Sequence, residues 1–196
     1  RIGTPPAIEA LGQAVREQVP RRTVYLSRYF LQGPRPEEYA YLHGLVLAGA
    51  KPALPDVPLV IGLLPGTFLE KPRFEDRLRP ESQRVLLVRR LLENAGLRQP
   101  AVGLLTGVLR GDPAPDADPL YQKIREGINL ERPFSEHGRA FPVVKTLATE
   151  QALWLLGCLT TEPAEVPAAL LTPSLASANE RERIDAAVLL HRIGFD

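Results

Sequence analysis

The residue types with the clearest capacity for chemistry stand together near the start of the chain: Arg21, Arg22, Tyr25, Arg28, Tyr29 and Gln32. At about 100° per residue they fall on one arc of a helix, opposite Val24, Leu26, Phe30 and Leu31. Guanidinium groups hold carboxylates and phosphates through paired hydrogen bonds, and Tyr rings offer stacking surfaces. Such a face suits the acidic surface of another protein. Single-stranded nucleic acid, with unpaired bases free to stack, is the alternative occupant. A solvated face whose Arg stems lie over Tyr rings at the edge of the core needs no ligand at all.

A second basic group, Lys71, Arg73, Arg77, Arg79, Arg84, Arg89 and Arg90, is interleaved with Glu70, Glu75, Asp76, Glu81 and Glu93. Opposite charges at such spacing read as surface ion pairs. The run Ser135-Glu136-His137-Gly138-Arg139 collects a nucleophile type, a carboxylate, an imidazole and a cation, so an enzyme centred on His137, Ser135 and Glu136 is a third reading. Adjacent residues rarely turn their side chains toward one another, whereas a nucleophile and its base must meet within hydrogen-bond reach. The sequence therefore favours binding over turnover.

No cofactor or metal ion is expected. His43, His137 and His191 are the only histidines, none has a second His four residues on, and Cys158 has no cysteine partner. The turn Gly62-Leu63-Leu64-Pro65-Gly66-Thr67 lacks the Lys of a phosphate loop, and Pro65 removes an amide that a phosphate cradle uses. His191 shares an arc with Ile184, Ala187 and Val188 and reads as a partly buried packing residue. Trp154 and Cys158 lie in the run Ala152 to Leu159, apolar nearly all round, as expected of a central helix.

The elements that must position these residues are marked by proline. Many of the 20 Pro stand just inside an apolar-periodic run, as at Pro5, Pro20, Pro36, Pro80, Pro119 and Pro163. Proline at the first helical position gives up an amide that has no partner there, and its fixed φ suits the turn. The pattern predicts an all-α fold of about ten short helices, in an irregular bundle or as stacked helical hairpins. They are expected at 4–19, 20–32, 36–50, 57–64, 80–95, 99–110, 119–128, 143–160, 164–175 and 180–193.

Finer signals accompany these spans. The segments 23–31 and 57–64 also carry short-strand character, which leaves the fold class unchanged. Gly96 is expected as a left-handed stop, and Asn179 with Glu182 as a capping box. Val46 to Gly49 echoes Val108 to Gly111, a loose repeat without a fixed period.

At 196 residues, 44% hydrophobic and 24% charged, the chain has the composition of a globular domain. Its longest apolar runs, Ala40 to Ala50 and Val57 to Leu69, are too short or too Pro-broken to span a bilayer. The acidic, Pro-rich segment 111–118 reads as a hinge between a basic helical subdomain, 1–110, and an acidic one, 119–196, with one continuous domain as the alternative.

Residues 1–110 hold 16 Lys+Arg against 10 Asp+Glu, a charge of +6, while residues 111–196 hold 8 against 13, a charge of −5. The asymmetry points to an anionic partner for the first half or to attraction between the halves. Arg outnumbers Lys by 20 to 4, in keeping with a GC-rich coding sequence. A lone, apolar-flanked Cys158 fits a reducing compartment such as the cytoplasm. A chain that opens at Arg1 and holds no Met fits a domain excised from a longer protein. The expected role is a non-catalytic protein-interaction or scaffolding domain.

Overall fold

A computed structural model of the chain describes residues 4–7, 9, 10, 13, 44–62, 64, 83–112, 117–130 and 145–194. Every regular element among the described residues is helical, as the proline pattern predicts. The helices are α1 (Val57–Ile61), α2 (Gln83–Asn94), α3 (Arg98–Arg110), α4 (Pro119–Leu130), α5 (Thr149–Leu159), α6 (Thr172–Leu175) and α7 (Glu180–Arg192), joined by 3-10 turns at Leu54–Asp56, Pro163–Glu165 and Ala168–Leu170. The short apolar run after Asp56 is thus helix, not strand.

Helix ends follow the local sequence closely. Asp118 caps α4, its Oδ1 accepting from the Leu120 and Tyr121 amides at 2.8 and 3.2 Å, with Pro119 as the first helical residue. Gly96 takes φ +71° and Gly111 φ +75°, conformations that side-chain-bearing residues rarely adopt. At each, two amides fold back. Gly96 N donates to Glu93 O and Leu97 N to Leu92 O; Gly111 N donates to Val108 O and Asp112 N to Gly107 O. Gly49 ends the helical residues 44–47 in the same way, through Gly49 N to Val46 O and Ala50 N to Leu45 O. The echo between Val46–Gly49 and Val108–Gly111 is therefore two instances of a helix-stop motif that also ends α2 at Gly96.

Two expected helices are shortened for visible reasons. Of the span expected at 143–160, the described residues from 145 on are helical only from Thr149, because residues 145–148 are held elsewhere. Leu147 N donates to the buried Tyr121 hydroxyl at 3.1 Å, and Arg125 Nη1 donates to Lys145 O. The span expected at 164–175 breaks into two 3-10 turns and the four-residue α6. Val166, the residue before Pro167, is forced to φ −131°, ψ 112°, which no helix tolerates. At α7, Asn179 Oδ1 accepts from Arg181 N at 3.0 Å as expected, but the Asn179 amide donates to Ser177 Oγ at 3.1 Å, so Ser177 takes the place expected for Glu182.

One buried cluster runs through the described helices on both sides of residues 111–118. Helix α1 lies on α4, α3 and α7 both lie on α5, and α2 touches α1, α3 and α5. Leu153, Leu155, Leu156 and Leu159 are fully buried, so α5 is the central helix that its apolar run predicts. Trp154 packs at the edge of the same core, and Cys158 is a buried free thiol. No helix among the described residues is long and apolar enough to cross a membrane.

The tightest approach is at Gly127 of α4. A Cβ there would stand 2.6 Å from Ile61 Cβ and 2.8 Å from Pro58 O, both on α1. Gly103 of α3, in contrast, faces open space with nothing within 4 Å. Gly127→Ala is expected to lose about 1–3 kcal/mol through overpacking against backbone, despite alanine's better helix propensity. Gly103→Ala is expected to gain up to about 1 kcal/mol from that propensity alone. Urea denaturation of the two variants measures both signs.

Candidate functional site

The most elaborate polar constellation among the described residues is assembled on the carboxyl end of α5. A helix leaves its last four carbonyls without intrahelical partners. Many helices close with a left-handed glycine or carry a basic residue in the last turn. Helix α5 has neither: the sequence runs Gly157-Cys158-Leu159-Thr160, no last-turn residue is basic, and Thr160 leaves in an extended conformation with ψ 137°. Gly157, Cys158 and Leu159 are buried, so bulk solvent has little access to that end.

The four acceptors are satisfied one by one. Leu156 O accepts from the Thr160 amide at 2.8 Å. Gly157 O accepts from Arg192 Nη1 of α7. Cys158 O accepts from Arg89 of α2 twice, from Nη2 at 2.8 Å and Nε at 3.1 Å. Leu159 O accepts from Arg98 Nη1 of α3 at 3.1 Å. Three guanidinium groups, each from a different helix, thus meet the negative end of the α5 dipole.

Burying cations is costly unless they are paired. Arg98 lies between two carboxylates, Glu93 Oε1 at 3.1 Å from its Nε and Glu165 Oε1 at 2.7 Å from its Nη1. Glu165, whose side chain is 7% exposed, also accepts from Gln99 Nε2, from Thr161 N at 2.8 Å and from Glu162 N at 3.4 Å. Burial pushes its carboxyl up. The Thr161 amide, the hydrogen bond and charge of Arg98, and the Glu162 amide outweigh that push, and the carboxyl titrates below its ordinary value. On α7, burial lowers the Arg181 guanidinium, with the charge of Glu150 acting in the opposite sense.

Chemically, this arrangement closes a helix and joins elements. The guanidinium groups are engaged by carbonyls of the chain itself, and Arg98 also by two carboxylates, of which Glu165 titrates below its ordinary value.

The sequence-predicted sites fare differently. Arg21, Arg22, Tyr25, Arg28, Tyr29 and Gln32 lie outside the described residues, as do Ser135, Glu136, His137, His43, Lys71, Arg73, Arg77 and Arg79. Within the second basic group, Arg90 does form the expected surface ion pair, with Glu93 Oε2 at 3.1 Å. Arg89 does not. It is 7% exposed, because the buried face of α2 extends from Val88 round to Arg89 and brings that side chain over the α5 terminus. His191, expected to be partly buried, is exposed, since Val188 and Leu189 carry the packing of that turn.

Arg98, Arg192, Gln99 and Glu165 escaped the sequence reading, yet two signals pointed to them. An arginine at the first position of α3 opposes that helix's own dipole, so it serves something beyond α3. A buried helix end without its own stop must find donors elsewhere.

No family model, no curated protein and no solved structure matches the chain. Among the described residues no group of His, Cys, Asp and Glu is placed to hold a metal ion.

Arg89→Met keeps the stem and removes the two buried hydrogen bonds that Arg89 donates to Cys158 O. It is expected to destabilise by about 1–3 kcal/mol, whereas Arg90→Met on the exposed face stays within about 0.5 kcal/mol. Denaturant melts of both variants check the contrast. Because the folded carboxyl of Glu165 is depressed, its stabilisation is complete above the unfolded value of about 4.3 and is lost as pH falls through the lower folded one. Glu165→Gln is therefore expected to be less stable than the parent at neutral pH and to flatten the acid limb of the stability profile below about pH 4.3. An acid limb of unchanged slope in that variant would refute the assignment.

Proposed function

We propose that the chain is a non-catalytic protein-interaction or scaffolding domain whose basic first half receives an acidic surface of another protein. The observation that carries this reading is the stripe Arg21, Arg22, Tyr25, Arg28, Tyr29 and Gln32, at helical spacing in a half of net charge +6. Arginine in such a stripe favours carboxylates through planar, paired hydrogen bonds, and tyrosine adds contact area at low entropic cost. The cluster on α5 supports a supporting role for the described helices, because its ionic groups are spent inside the fold. Arg89 and Arg98 of the first half are engaged there. The charge that meets a partner therefore resides in the other basic residues, the stripe foremost.

The interleaved Tyr25 and Tyr29 also favour a second reading, single-stranded nucleic acid on the same face, in which the rings stack on bases. The two readings separate in one set of experiments. The immobilised chain is exposed to a nuclease-treated extract of its native source, and a labelled oligothymidylate is titrated in parallel at about 50 and 200 mM salt.

The protein-interaction reading expects capture of an acidic protein. That capture is abolished by the double variant Arg21→Glu/Arg28→Glu and kept by Arg90→Glu, and the oligonucleotide does not compete. Oligonucleotide affinity that drops at least about tenfold over that salt range and further in Tyr25→Ala would establish the second reading instead. Capture indifferent to both charge reversals would overturn the first.

A further inference from the structure

We draw no further inference here: the strongest candidate, the Arg98, Glu165 and Gln99 cluster at the carboxyl end of α5, belongs to the site already described, and nothing in the structure shows what covers the exposed Leu47, Leu86 and Leu175, the next candidate.

Discussion

The described fold depends on the carboxyl end of α5, a buried helix terminus that has no stop of its own. Burying that end permits Leu153, Leu155, Leu156 and Leu159 to occupy the centre of the core. It also places the carbonyls of Gly157, Cys158 and Leu159 inside the fold, where each needs a donor. An unmet acceptor in the interior costs about 1–3 kcal/mol, a large share of the marginal stability of any domain. The requirement is met by Arg192, Arg89 and Arg98, so α7, α2 and α3 are each tied to α5 by a directional contact as well as by apolar packing.

The same constraint explains the carboxylates nearby. Three cations brought to one helix end exceed the partial negative charge a helix dipole supplies, roughly half an elementary charge. Glu93 and Glu165 add two negative charges at Arg98. Glu165 in turn gathers the Thr161 and Glu162 amides and holds the 3-10 turn Pro163–Glu165 against α3. A basic first half and an acidic second half therefore meet through at least one buried ion pair, and part of the charge asymmetry in the sequence is used within the fold.

The architecture was largely legible in advance because it is written in local signals. Pro119 after Asp118, Gly96 and Gly111 after apolar runs, and Asn179 before Glu180 each act within a turn of their own position. Errors arose where distant groups decide. The start of α5 is delayed by Tyr121 and Arg125 of α4, which take residues 145–148 for themselves, and no periodicity in that segment announces it. Arg89 looked like its exposed neighbour Arg90 because charge alone does not say which side of a helix a partner approaches. The chemistry of the α5 terminus was legible only as a deficit, a helix end without a glycine and a helix start with an arginine. The Arg/Tyr stripe at 21–32, which carries the functional proposal, lies outside the described residues and draws its support from sequence alone.

The central claim is that the guanidinium groups act together on one helix end. A double-mutant cycle on Arg89→Met and Arg192→Met, read by urea denaturation, tests it most directly. They cap adjacent carbonyls from two different helices, so the account predicts a non-additive cycle with a coupling of about 0.5 kcal/mol or more. Stability losses that add to within about 0.3 kcal/mol would show two independent contacts and contradict the account.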